Sequence, residues 1–153
     1  MFSQTSEYAL RVMVYLASLD GKQATISQIA EATCTPEGYL AKVLRSLALA
    51  ELVRSQRGPQ GGSVLARSAR QISVFDAIQA VDPIERITSC PLGIKGHGVN
   101  LCPLHRRLDQ AIAMVEDTFK QTTIAELAVA PAGHQSLCDG PARRHRRSSR
   151  VGA

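Results

Sequence analysis

Apolar side chains recur at helical intervals through most of the first half of the chain. In residues 7–19 (EYALRVMVYLASL), Tyr8, Val12, Tyr15, Leu16 and Leu19 share one face, while Leu10, Met13, Val14 and Ala17 cover much of the other. A helix apolar nearly all round is buried on two sides, which points to contact with a second chain as well as with its own core. Gly21 ends it. Thr25 and Gln28 then stand in capping-box spacing at the head of a second helix that carries Ile26, Ile29 and Ala30 inward. Cys34 and Thr35 interrupt the rhythm. Thr35-Pro36 supplies the N-cap and first position of a third helix to about Ala48, with Leu40, Val43, Leu44 and Leu47 as its apolar stripe. Two short helices joined by a tight turn form the helix-turn-helix pattern.

The pattern then changes period. Leu52-Val53 and Val64-Leu65-Ala66 flank Arg57-Gly58-Pro59-Gln60-Gly61-Gly62, a β-hairpin with a Gly/Pro-rich tip, in other words a wing. Ser73 to about Val81 is another capped helix, ended by Asp82-Pro83. Residues 84–101 form a Gly-rich polar loop holding Cys90, Gly96 and His97. Pro103 opens a long helix to about Phe119, in which Leu104, Leu108, Ala111, Val115 and Phe119 recur at steps of four, three, four and four. That narrow stripe suits a partner helix, so these five residues are the expected dimer seam. Thr122-Thr123-Ile124 starts a short last helix, and beyond about Pro131 the chain offers little to bury. The expected organisation is a winged helix-turn-helix domain over residues 1–82, a cysteine-bearing loop over 83–102, a dimerisation helix and short terminal helix over 103–130, and a basic, disordered tail over 131–153. The fold class is mainly α with a small β-hairpin.

Composition changes this picture in two places. The 153 residues carry a formal charge of +5, which invites a nucleic-acid partner. Yet Arg143, Arg144, Arg146, Arg147 and Arg150 crowd the last eleven residues, and residues 1–139 hold thirteen basic and thirteen acidic side chains. Net charge therefore argues little, and the case rests on local pattern. No apolar run approaches a membrane span, and the first residues lack the basic-then-apolar order of a signal peptide, so a cytoplasmic protein without a membrane partner is expected. In that compartment cysteines serve as ligands, redox groups or core residues more often than as disulfides. Cys34, before the third helix, fits a small buried residue, and Cys138 lies in the tail.

A helix-turn-helix lays its second helix in the major groove with the N-terminal residues at base edges or phosphates. Here that end carries Thr35, Pro36, Glu37, Gly38 and Tyr39, followed by Lys42 and Arg45 three apart on one face. Thr35 and Tyr39 can donate to phosphate, and the free helix N–H groups add an anion site. Arg57, before glycines that let the backbone come close, is placed to enter the minor groove. Ser27, Arg54, Gly58 and Pro59 complete the candidate DNA-binding set. No nucleophile–base pair stands out, and GPQGG lacks the lysine of a phosphate-binding loop, so an enzyme is not expected.

At these residues the sequence resembles the Rrf-two family of winged-helix repressors. The matching stretches are SEYALRVMVYLA, ISQIAEA, PEGYLAKVLRSLALAELVRSQRGPQGGSVLAR, ISVFDAIQAVD and CPLHRRLDQA, over about residues 6–126. The resemblance implies a homodimer held by the long C-terminal helix and bound to an imperfect palindrome in double-stranded DNA. It also implies, in many members, an iron–sulfur cluster in the preceding loop whose redox or nitric-oxide chemistry is the signal.

Cluster-bearing members place three evenly spaced cysteines in that loop. Here Cys90 and Cys102, with eleven residues between them, fit the outer pair, while Gly96 stands at the middle position with His97 beside it. Cys102 precedes Pro103 at a helix N-terminus, where the macrodipole favours a thiolate. His105 follows three residues later on the same face, and Cys/His ligation suits iron–sulfur centres and zinc alike. The resemblance adds Glu7, matching a first-helix carboxylate that in some members reaches the cluster across the dimer. The expected ligands are therefore Cys90, Cys102, His105 and Glu7 of the partner subunit. A cluster-free thiol/disulfide switch stands beside the cluster, and a protein-binding module docking onto a metabolic enzyme stands beside the DNA-binding regulator.

Overall fold

The computed structural model describes residues 2–56, 58, 61–90 and 101–129. Its elements run α1 (Gln4–Ser18), α2 (Ile26–Thr33), α3 (Glu37–Leu49), β1 (Val53–Gln56), β2 (Gly62–Leu65), a single 3-10 turn at Ala69–Gln71, α4 (Val74–Gln79), α5 (Pro103–Gln121) and α6 (Ile124–Ala128). This is the expected mainly helical architecture with one antiparallel hairpin.

The helix starts follow from side-chain caps. Ser3 accepts from the Ser6 N–H at 3.2 Å, so α1 begins three residues before the apolar pattern does. Thr25 and Gln28 satisfy each other's backbone donors at the head of α2, and Ser73 with Asp76 does the same for α4. Between α2 and α3, Cys34 takes the left-handed conformation (φ 52°, ψ 35°), which reverses the chain after one residue. Cys34 is half-buried rather than buried. Pro36, not Thr35, is the N-cap of α3, because Thr35 is pulled into the turn.

Val12, Met13, Val14 and Leu16 of α1 are all buried within a single chain. The helix lies against α2, α3 and β2 and also against α4 and α6. Much of the apolar surface of α1 is thus covered by the chain's own later helices, α4 and α6. Hydrophobic periodicity shows that a face is covered but not by which element. Two backbone bonds fix this return: Val74 N–H donates to the Thr122 carbonyl and Ile124 N–H to the Ile72 carbonyl, each at 2.9 Å. Ile124 is fully buried as a result.

In α2, Ile29 points into the core as expected, but Ile26, at the first position of the helix, stays 44% exposed. Its inward place is taken one turn beyond Ile29 by Thr33, whose hydroxyl donates to the Ile29 carbonyl at 2.7 Å and so is buried without an unmet polar group. The hairpin pairs Val53 with Leu65 and Gln56 with Gly62. Ser63 also exchanges both backbone bonds with Ala24, at 2.8 and 3.0 Å, so the wing is tied to the segment before α2. A Cβ on Gly62 would lie 2.8 Å from the Ala24 carbonyl oxygen. Only glycine permits that approach.

Candidate nucleic-acid interface

The second helix of the helix-turn-helix, α3, buries Leu40, Val43, Leu44 and Leu47, the four residues of its predicted stripe. That burial fixes which side faces outward. Glu37, Gly38, Tyr39, Lys42 and Arg45 are exposed, as are Ser27 at the start of α2, Pro36 in the turn and Arg54 on β1. Among the described residues no acid lies within ion-pair distance of Lys42, Arg45 or Arg54. Their charge is available to an anionic partner. Tyr39 is held against Tyr8 edge-on, with ring centroids 5.8 Å apart, and remains half exposed.

Two residues of the expected set are bonded within the protein. Thr35 is only 3% exposed, and its hydroxyl is hydrogen-bonded to the Thr33 hydroxyl at 2.9 Å. It braces the turn from inside rather than facing outward. Ser27 donates to a Glu37 carboxylate oxygen at 2.8 Å, joining the N-terminal ends of the two helices. Gly58 takes φ +119° and its carbonyl accepts from the Gly61 N–H at 2.9 Å. Arg57 and Pro59, at the wing tip, lie outside the described residues.

A tie that the pattern did not reveal links this face to α1. Arg11 donates to the Thr33 carbonyl at 3.4 Å and pairs with Glu7 one turn earlier. A guanidinium at the C-terminal end of α2 meets unpaired carbonyls and the negative end of the helix dipole. Arg11 was hidden within a helix read only for its apolar positions.

The cysteine-bearing region is built differently. Cys102 is the N-cap of α5, and its Sγ lies 3.3 Å from Nδ1 of His105, as the three-residue spacing on one helical face requires. Cys90 is half-buried at the far end of the loop. Gly96 and His97 lie outside the described residues, as do Cys138 and the arginine-rich tail. Among the described residues no three His, Cys, Asp or Glu side chains gather closely enough to hold a metal ion. Glu7 is engaged with Arg11 on α1. Among the described residues one chain brings together only the Cys102–His105 pair.

The start of the loop is tied to α5 by an ion-pair network with no sequence motif. Arg86 donates twice to Asp109 of α5, both at 2.7 Å, and the Ile87 N–H adds a third bond to the same carboxylate at 3.0 Å. Glu116 pairs with Arg86 at 3.6 Å and with Lys120 at 2.6 Å, while Lys120 sits 4.7 Å above the Phe75 ring of α4. The hydrogen bonds from Arg86 hold Asp109 below the usual carboxylate range, and those from Lys120 do the same for Glu116. Arg86 is raised in return, chiefly by Asp109.

The family profile of Rrf2, described as "Iron-dependent Transcriptional regulator", matches residues 2–130. The chain belongs to the Rrf2 family. It is similar to an HTH-type transcriptional regulator of Aquifex aeolicus, 31% identical over 130 residues that cover 83% of this chain and 90% of that one. Among solved structures it is similar to IscR of T. potens, with TM-score 0.68 and 26% identity over 82% of this chain and 84% of that one. It is also similar to the oxidized form of Staphylococcus aureus CymR, with TM-score 0.67 and 26% identity over 86% and 98%. As an Rrf2 member the chain is a DNA-binding transcriptional regulator and not an enzyme. None of its described helices is long and apolar enough to cross a membrane.

In this Rrf2 chain the stripe expected as a dimer seam divides in two. Leu104 is 64% exposed, Leu108 47% and the nearby Met114 71%, and Ala111 is exposed as well. Val115 and Phe119 are half-buried, the latter packed at a tilt against Phe2 of the same chain with centroids 5.0 Å apart. Ala111, Ile112 and Val115 also line an apolar groove of about 370 Å³ with Phe2, Ile78 and Ile84.

Proposed function

We propose that this regulator binds an imperfect palindrome as a homodimer, acts there as a repressor, and takes its signal at the loop bearing Cys90 and Cys102. The observation that carries the DNA half of this reading is the outward face of α3. It presents Tyr39, Lys42 and Arg45, with no acid within ion-pair distance of either cation among the described residues, on a helix whose other face is locked in the core. Thr35 supports this face from within the turn, and Arg57 and Pro59 are the further contacts proposed from the sequence of the wing. The open half of the α5 stripe, Leu104, Leu108 and Ala111, is the surface a second copy covers. Val115 and Phe119 continue the seam from positions that also pack within the chain.

For the signal, the favoured ligand set is Cys90, Cys102 and His105, with Glu7 of the partner subunit, holding an iron–sulfur cluster that would supply redox or nitric-oxide sensitivity. The Cys102–His105 contact supports it. A second reading is a thiol switch without metal, in which Cys90 and Cys102, both free thiols, are the redox pair. Protein purified without oxygen decides between them. Visible absorption and bound iron, both lost in Cys90→Ala and Cys102→Ala, are expected for the cluster. Colourless, iron-free protein whose operator affinity still follows thiol oxidation establishes the switch. On the DNA side, Lys42→Ala should lower affinity evenly across sequences and reduce the salt slope by about 0.9 if it neutralises one phosphate. An unchanged slope removes Lys42 from the interface.

A further inference from the structure

Glu37 is the one acid in the expected DNA-binding set. It is the first residue of α3, it is exposed, and among the described residues no cation lies within ion-pair distance of it. Ser27 of α2 donates to one of its carboxylate oxygens at 2.8 Å, which fixes the side chain across the gap between the two helix starts. A negative charge in the first turn favours the helix dipole, and that alone is a sufficient structural role. It does not account for the bond from the other helix.

We propose that Glu37 is a specificity-determining residue that reads the amino group of a cytosine in each half-site, with Ser27 as its positioning partner. The proposal rests on α3 being the recognition helix. An ionised carboxylate only accepts hydrogen bonds, so phosphate oxygens repel it and thymine O4 or the guanine edge offers it no donor. Two base edges in the major groove do donate, cytosine through N4 and adenine through N6. Adenine carries the N7 acceptor beside its amino group, facing the second carboxylate oxygen with a lone pair. Cytosine presents no acceptor of its own there, so it is the better fit. With one oxygen already bonded to Ser27, the carboxylate offers its remaining lone pairs from a single orientation.

The test is a binding selection from randomised duplexes, run in parallel on wild-type protein, Glu37→Gln and Ser27→Ala. Wild-type protein should enrich cytosine at one position per half-site, by about tenfold over the other bases. Glu37→Gln should transfer that preference to adenine, because an amide can accept from N6 and donate to N7 together. Ser27→Ala should keep cytosine but with a preference reduced several-fold, since the carboxylate is no longer held. Both substitutions lie on the exposed surface, and unchanged thermal unfolding would confirm an intact fold. A wild-type selection with clear preferences that Glu37→Gln reproduces at every position overturns the assignment of Glu37 alone. A wild-type selection with no sequence preference at all overturns the recognition-helix reading together with it.

Discussion

The two amphipathic helices α3 and α5 were equally clear as apolar stripes, yet they end in different states. The stripe of α3, thirteen residues long, is completely buried by its own chain, and its polar face is left for function. The stripe of α5, nineteen residues long, contains no buried residue, and its first half faces solvent. A helix of 13 residues wedged between α1, α2 and β1 has apolar neighbours on its inner side. By contrast α5 is held by the ion pairs of Arg86, by Lys120 over Phe75, and by apolar contacts from its second half only, through Val115 and Phe119. The difference separates two uses of one periodicity: α3 positions charges by burying its other face in the monomer, whereas α5 keeps its apolar face for something outside it.

The sharpest way to break this contrast is to disrupt each stripe in turn. Leu47 is fully buried in α3. Leu47→Ala should destabilise the fold by about 2–5 kcal/mol, from lost burial plus the cavity left behind. The measurement is urea unfolding followed by circular dichroism, with DNA binding lost only as the fold is lost. A cost below about 1 kcal/mol would mean that α3 is not locked as the packing indicates.

Replacing Leu104 and Leu108 together with Asp should act in the opposite sense. Both side chains are exposed, so the helical content and monomer core should be little changed. Two charges in a helix seam should instead abolish the dimer, seen by sedimentation, and with it most operator affinity, since one half-site captures too few contacts. A doubly substituted protein that still sediments as a dimer would move the seam elsewhere on the molecule.

These contrasts also show where the sequence was legible. The capping pair Thr25 and Gln28, the four-residue stripe of α3 and the Gly-rich hairpin are each signalled within a few neighbouring residues, and the fold reproduces them. The burial of α1 by α6 was not legible in its partner, because residues 4–18 and 124–128 meet only in three dimensions. Ser27 with Glu37, Arg11 with Thr33, and Arg86 with Asp109 share that origin. Each is a pair of ordinary polar residues made significant by a turn or a docking that no spacing rule encodes. Thr35 went astray for a smaller reason: moving the N-cap one residue to Pro36 turns its hydroxyl from the outer face into the turn.

The smallest expected effect concerns how α5 holds the loop, and here pH is the probe. Asp109 and Glu116 titrate below their ordinary range because Arg86 and Lys120 donate to their ionised forms. A depressed folded value means that the clamp's contribution is complete above the ordinary carboxylate range of about 4. It is lost only as pH falls through the lower folded values, when the carboxylates take up protons and release their cations. The Ile87 amide, which donates to Asp109 at 3.0 Å, reports this directly. Its NMR resonance should hold steady from neutrality to about pH 4 and move only below that, with a midpoint under the usual Asp value of about 3.9. In Asp109→Asn the amide should lose that titration, and the loop should already be looser at neutral pH, because the neutral side chain no longer offers Arg86 a second carboxylate oxygen. Asp109 and its partners are partly exposed, so solvent and salt screen the pairs and the change should be local, leaving the core signals of α1 and α3 in place. An Ile87 midpoint at or above the ordinary Asp value would show that the clamp does not close in solution, and that α5 relies on its apolar stripe alone.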